Sequence, residues 1–379
     1  MATRIYTGVD GKARKVKRIY IGVDGKARSV KKVYVGVNGK ARLCWRRFAL
    51  YKYNGIVDNL SSAKMELRSA SVGNYALFAG GRGVNKTYYR EVEAYNRSLT
   101  KSKVTDLSEA KTVMGATSIG NYALFAGGYQ GSYRVATVDT YNSTLTKSKA
   151  AQLDYGIDDL AAASVGNYAL FGGGTLGASK ASSYVYAYNA SLTKSNVRDL
   201  SYGRYYIGAT SVGNYVIFAG GNRNGYYAPN VDAYDSSLTK VSVTSLSEGK
   251  YSIMAATVAG NYAIFYGGFG SNQSNIVTEV YDRSLTKTTI SGPSNCISAG
   301  KSASSENYAV FSGGSSYTNE FGTAVIAYDE SLIKYTIDNL SKERYSHAMS
   351  LVGNYIVISG GYSNSERNYT NSTEVYECN

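Results

Sequence analysis

Residues 120–128 read GNYALFAGG, and the block returns at 73–81, 166–174, 213–221, 260–268 and 353–361; in a seventh copy, ending at Gly314, Glu306 stands for the first glycine. Its tyrosines, Tyr75, Tyr122, Tyr168, Tyr215, Tyr262, Tyr308 and Tyr355, recur every 46 or 47 residues. A second tyrosine follows in each unit, at Tyr95, Tyr141, Tyr188, Tyr234, Tyr281, Tyr328 and Tyr376, usually as V-x-x-Y-[ND]. Six units then continue into an S/T-L-T-K turn or its Leu332-Ile333-Lys334 variant. Each unit reads as four short strands: a, a run of small residues such as 115–118; b, 122–126; c, 138–141; and d, 147–153. Strand b is apolar on both faces, as a strand between packed sheets must be, and its terminal Gly-Gly lets backbones approach closely. Four strands per unit at this period predict an all-β chain dominated by a seven-bladed β-propeller.

The last unit ends after Tyr376 and Cys378 without a strand d, while residues 51–60, YKYNGIVDNL, align with SLTKSKVTDL at 98–107. An outer strand from before the first unit is therefore expected to close the ring by completing the last blade.

The composition agrees with a β-rich chain: 41 Gly, 38 Tyr and only 2 Pro in 379 residues. The net charge of +14 is concentrated. Residues 1–47 hold 14 of the 41 Lys/Arg and two of the 27 acids, so +12 belongs to them and +2 to residues 48–379. The division expected is a basic arm, 1–47, and a propeller, 48–379. The arm repeats every 14 residues (RIYTGVDGKARKVK from Arg4, RIYIGVDGKARSVK from Arg18, KVYVGVNGKARLCW from Lys32). Asp-Gly and Asn-Gly after Ile-Tyr or Val-Tyr strands predict three two-residue β-hairpins. No apolar stretch approaches the roughly 18 residues of a membrane span and no apolar leader opens the chain, so neither insertion nor secretion by a leader is expected. Cys44, Cys296 and Cys378 lack any CxxC pairing and read as free thiols.

Hydrophobic-Gly-Gly followed by V-x-x-Y-[ND] at this period resembles the kelch repeat over residues 48–379, with one departure: no blade carries the outer-strand Trp usual in kelch repeats. The tandem VDGKAR and VNGKAR units resemble arrays in tail and appendage proteins of phages and prophages of Gram-positive bacteria. The two resemblances imply a kelch-type propeller on a virion protein, made in the host cytoplasm and carried on the particle.

Catalytic constellations are sparse. His347 is the only histidine, so a His-based triad or a copper site is hard to assemble, and it reads as structural or solvated. Asp158-Asp159 occurs in one blade only and reads as a local turn or a solvated pair. The Gly-Gly pairs lack a following helix and GK[ST], so they are structural. No catalytic residue, metal or cofactor is assigned.

The b–c connections, by contrast, differ in every blade, whereas the a–b and c–d turns are near copies. In an antiparallel meander the b–c and d–a connections share one face, so one face is diversified and the other uniform. The diverse loops are rich in Tyr, Asn, Ser, Gly and Arg, the mix of adaptable recognition surfaces. Lys64, Lys111, Arg204 and Arg344 stand ten residues before the Asn of N-Y, with Lys250 one further back. These five cations are expected to ring the channel mouth, surrounded by Tyr88, Tyr89, Tyr133, Tyr226, Tyr227, Tyr317 and Tyr369, as a site for an anionic host-surface glycan or a protein receptor. The arm, through Tyr6, Tyr20, Tyr34, Lys12, Lys26 and Lys40, is expected to dock other virion proteins in an oligomeric assembly. The alternatives are a kelch-fold carbohydrate-active enzyme and a nucleic-acid scaffold gripping through the arm; only the three arm tyrosines offer stacking platforms, so nucleic acid is the weaker partner.

Overall fold

The computed structural model describes residues 51–378 except 178–179, 271–276, 294–296, 306 and 316–321, and, before residue 51, the strand residues 6–9, 12–15, 19–23, 26–30, 32–37 and 40–46. The chain divides into two compact units, Met1–Tyr51 with Cys378–Asn379, and Lys52–Glu377. In the first, Tyr6–Val9 pairs with Lys12–Lys15, Ile19–Val23 with Lys26–Val30, and Lys32–Val37 with Lys40–Arg46, all antiparallel. The partners Val9 and Lys12, Val23 and Lys26, and Val37 and Lys40 give the register expected of two-residue hairpins. The turn residues themselves, like the side chains of Tyr6, Lys12, Tyr20, Lys26, Tyr34 and Lys40, lie outside the described ones.

The described residues of the second unit form seven four-stranded sheets, the blades of a propeller. Strands a to d are Arg68–Val72, Tyr75–Ala79, Val92–Asn96 and Lys101–Val104 in blade 1, and Gly115–Ile119, Tyr122–Ala126, Val138–Asn142 and Lys147–Lys149 in blade 2. Blade 3 has Ala161–Val165, Tyr168–Gly172, Val185–Asn189 and Lys194–Val197; blade 4 has Gly208–Val212, Tyr215–Ala219, Val231–Asp235 and Lys240–Val241. Blade 5 has Met254–Val258, Tyr262–Tyr266, Thr278–Asp282 and Lys287–Ile290; blade 6 has Lys301–Ser304, Tyr308–Ser312, Val325–Asp329 and Lys334–Ile337. Blade 7 takes Ala348–Val352, Tyr355–Ser359 and Thr373–Cys378 from the C-terminal end and its outer strand, Tyr51–Val57, from before blade 1, as the alignment of 51–60 predicts. Tyr53 meets Tyr376 edge-on at 5.5 Å, and Asn59 Oδ1 accepts from the Thr373 amide at 3.1 Å.

Three repeated contacts explain the repeated residues. First, the amide of the second glycine after strand b donates to a carbonyl of the next blade in every case, from Gly81 to Lys111 (3.0 Å) round to Gly361 and Lys64 (2.8 Å), which closes the ring. The first glycine must be glycine there: Gly80 has φ +63°, and a Cβ on it would lie 2.3 Å from the Lys111 carbonyl oxygen. Second, the strand-c tyrosine is buried and reaches the preceding blade: Tyr95, Tyr141, Tyr188, Tyr281 and Tyr328 donate to the carbonyls of Asp58, Thr105, Ala151, Thr244 and Ser291 at 2.6–2.9 Å. Each packs edge-on against the strand-b phenylalanine of its blade, as Phe125 does on Tyr141 at 6.0 Å. Third, the c–d turn is an Asx turn: Asn142 Oδ1 accepts from the amides of Thr144 and Thr146 (3.0 and 2.9 Å) while Leu145 takes φ 62°. Small residues on strand a let the innermost strands converge, and serine hydroxyls bridge them, as from Ser69 to the Met349 carbonyl and from Ser302 to that of Ala255, both 2.8 Å.

Candidate functional site

The five cations expected at the channel mouth are not there. Lys64, Lys111, Arg204, Lys250 and Arg344 are at most 1% exposed, each turned into its own blade onto an acid of strand c. Lys111 meets Asp139 at 3.1 Å, Arg204 meets Asp232 at 2.5 Å, and Lys64 meets Glu91 at 3.0 Å and Glu93 at 3.5 Å; Lys250 pairs with Glu279 and Arg344 with Glu374. The same acid accepts from the amide of a serine that follows leucine: Ser61, Ser108, Ser201, Ser247 or Ser341, at 2.8–3.1 Å. In blades 1, 2 and 4 the lysine of L-T-K adds a second cation, Lys101, Lys147 or Lys240. An isolated buried charge is prohibitively costly, so the acid pairs with the cation while the serine amide and the second lysine serve the acid, and the mouth is left without these cations. Blades 3 and 6 replace both members together: Ile157 stands with Tyr186 and Ile297 with Ile326, within apolar clusters.

Of the expected tyrosines, Tyr133 and Tyr226 are exposed, while Tyr88, Tyr89, Tyr227 and Tyr369 are half-buried on the b–c loops. Tyr89 lies beneath Lys64, 5.5 Å from its Nζ, and so serves the blade-1 ion pair. Tyr317 lies outside the described residues. Among the described residues, six of the eight exposed large hydrophobics (Val84, Tyr133, Tyr155, Tyr202, Tyr206 and Tyr226) belong to b–c or d–a connections. The two sets of connections share a face, being bridged in every blade, for example Thr112 to Tyr129 and Tyr345 to Tyr362.

The mouth is built by residues that the sequence reading does not assign to it, Asp159 among them, which it takes for part of a local turn. Glu66, Val113, Asp159, Tyr206, Ser252, Ala299 and Ser346 occupy one equivalent position, just before strand a, and every one has a left-handed backbone, φ 48–58°. Their peptides join around the axis: Val113, Asp159, Ser252, Ser346 and Glu66 donate to the carbonyls of Glu66, Val113, Tyr206, Ala299 and Ser346, at 2.7–3.2 Å. Left-handed backbone is costly for residues with a Cβ, most of all for β-branched valine, and here bonds at five of the seven junctions between blades offset it. The seven residues rim a cavity of about 490 Å³ that continues between the strands a.

Charge in this cavity is unevenly settled. Glu66 is held by Arg82 through two bonds, 2.6 and 3.0 Å, and Asp158 by Arg134 at 2.8 Å. Arg68 gives Nε to the Met114 carbonyl at 2.8 Å. Among the described residues, the side chains of Asp159 and Lys301 have neither hydrogen bond nor ion pair. Burial, with Asp158 beside it and against the pull of Arg68, pushes the Asp159 carboxyl up to about 7. Burial and Arg68 bring the Lys301 ammonium down to about 7, against Asp159 and Glu66. Tyr206, 43% exposed, has its hydroxyl held protonated by Asp159 and by burial. Its ring sits in an aromatic patch with Tyr205 (5.0 Å) and Tyr251 (6.1 Å), which reaches Tyr227 at 4.9 Å. His347 is fully buried with Nε2 2.9 Å from Ser312 Oγ, and burial holds it neutral. No family model matches this chain, and no curated protein matches it.

Proposed function

We propose that the chain is a non-enzymatic binding protein of a phage or phage-like particle: a divergent kelch-type propeller whose b–c and d–a face meets a host-surface ligand, on a basic hairpin arm that docks to other particle proteins. One observation carries the binding reading. The blades copy one another in their glycines and strand-c tyrosines, and five of the seven in their ion pairs, yet the mouth position takes Glu, Val, Asp, Tyr, Ser, Ala and Ser on an unchanged backbone, and the b–c loops beside it differ throughout. Varied loops set on a uniform rigid scaffold are the usual setting of binding residues. The particle half of the reading rests on the VDGKAR and VNGKAR resemblance and the +12 charge, which fits an acidic docking partner.

Full-length protein carrying Tyr133→Ser, Tyr226→Ser and Tyr202→Ser is expected to lose attachment to Gram-positive host cells, while Thr144→Ala and Ser237→Ala on the opposite turns leave it intact. Equal loss from both sets, or from neither, would sink the assignment of the face. A carbohydrate-active enzyme is the second reading, favoured by one carboxyl in the mouth that titrates near neutrality; turnover of a glycan panel, abolished by Asp159→Asn, would establish it in place of the first.

A further inference from the structure

The first residue of strand a is glycine, alanine or methionine in five blades, where neighbouring strands crowd the axis, and a cation in the other two: Arg68 in blade 1 and Lys301 in blade 6. Neither completes the ion-pair pattern that explains the remaining buried cations. Lys301 has no partner among the described residues, and Arg68 binds only backbone carbonyls, through Nε to Met114 and Nη1 to Glu66 and Leu67 (3.4 and 3.3 Å). Its Nη2 makes no bond among the described residues. Two donors with unspent capacity thus face a cavity that also holds an unpaired carboxylate, Asp159, and an exposed aromatic ring, Tyr206, fixed by its left-handed backbone and by Tyr205 and Tyr251.

We infer that the channel mouth binds an anionic sugar unit, its carboxylate or phosphate held between Lys301 and Arg68, its ring against Tyr206 and its hydroxyls donating to Asp159; this rests on the reading of the face as a binding surface. Each group fits one part of such a ligand. Partly desolvated cations attract an anion more strongly than solvated ones do. A phenol ring offers an apolar face to a pyranose and keeps its hydroxyl for hydrogen bonding. A carboxylate without donors of its own accepts from vicinal hydroxyls. The volume lies within the range of pockets that enclose a small ligand, about 300–1,000 Å³.

The test is calorimetric titration of the full chain at low salt with trigalacturonate, galactose 1-phosphate and neutral galactotriose. At least one anionic probe is expected to bind about tenfold or more tightly than galactotriose, the worth of one charge-assisted hydrogen bond; whichever it is identifies carboxylate or phosphate as the anion. Lys301→Gln is expected to lose about that factor towards the anionic probe and nothing towards galactotriose. Because it removes an unpaired cation from a crowded channel, the variant should melt no lower than the parent, which a circular-dichroism melt checks. Tyr206→Asn, which tolerates the left-handed backbone, should weaken all three probes alike. An anionic probe bound by Lys301→Gln as tightly as by the parent overturns the site. So does a parent that attaches to cells through the b–c loops yet binds none of the probes; that result leaves the function of the face standing.

Discussion

Replacing Asp139 by isoleucine would strand Lys111 in the interior of blade 2. The ammonium is fully buried and would keep only the Thr137 carbonyl and hydroxyl, at 3.2 and 3.0 Å. Breaking a buried pair from one side costs about 3–5 kcal/mol, and the two surviving bonds put Asp139→Ile near the lower end. Lys111→Ile is milder, about 1–3 kcal/mol, because Asp139 retains Lys147 at 3.1 Å and Ser108 at 3.0 Å (amide) and 2.6 Å (hydroxyl). Changing both recreates what blade 6 has in Ile297 and Ile326, where the equivalent lysine, Lys334, lies over the Tyr266 ring instead. In blade 2 the freed Lys147 still has the Asp106 carbonyl at 2.6 Å. The double variant is therefore expected to cost no more than about 2 kcal/mol, leaving a coupling energy of roughly 3 kcal/mol. Guanidinium unfolding of the four proteins, with m unchanged across the set, measures it. Additive single effects, or an Asp139→Ile cost below about 1 kcal/mol, would refute the claim that the pair exchanges as a unit.

Three further outcomes are expected. Burial opposes ionisation of Glu93, Asp139 and Asp232, but Lys64, Lys111 and Arg204 with the serine bonds and second lysines outweigh it, so all three carboxyls titrate below their usual values. A depressed carboxyl stabilises the fold above its unfolded pKa and ceases to do so as pH falls through its folded one; unfolding midpoints should fall steeply below about pH 4, a drop Lys111→Ile/Asp139→Ile shows less. Deleting residues 1–60 removes the outer strand of blade 7 and should destabilise the whole propeller, whereas deleting 1–45 should leave its melting unchanged; equal melting of the two would contradict the closure. Val113→Asn, at φ 48°, relieves a β-branched residue of left-handed backbone and should raise stability by about 1 kcal/mol, read from the same denaturation curves.

The fold could be read from the sequence because periodicity reports it directly: seven copies of one block, and an orphan strand matching the missing one. The site could not be read in the same way. Lys111 and Arg204 were placed by position along the chain, and position said nothing of Asp139 and Asp232, which follow only after strands a and b and the b–c connection. The clue was in the repeat nonetheless, since cation and acid leave together where Ile157 faces Tyr186 and Ile297 faces Ile326. Asp159 reads as part of a local turn for a related reason. Its oddity is a backbone angle shared by seven dissimilar residues, and unlike residues at one position carry no motif. That the b–c and d–a connections lie together was readable because loop placement is a property of the repeat, whereas the direction of a side chain is a property of packing.

The closure of blade 7 also orders events during synthesis. Asn59 and Thr373 are 314 residues apart. At ribosomal rates of about 5–20 residues per second, the strand Tyr51–Val57 waits tens of seconds for its neighbour. Throughout that time it is an unpaired edge on the nascent chain, next to a segment carrying +12 of charge. That charge would repel sister chains on one polysome during the wait, which is when their edges could otherwise pair with one another.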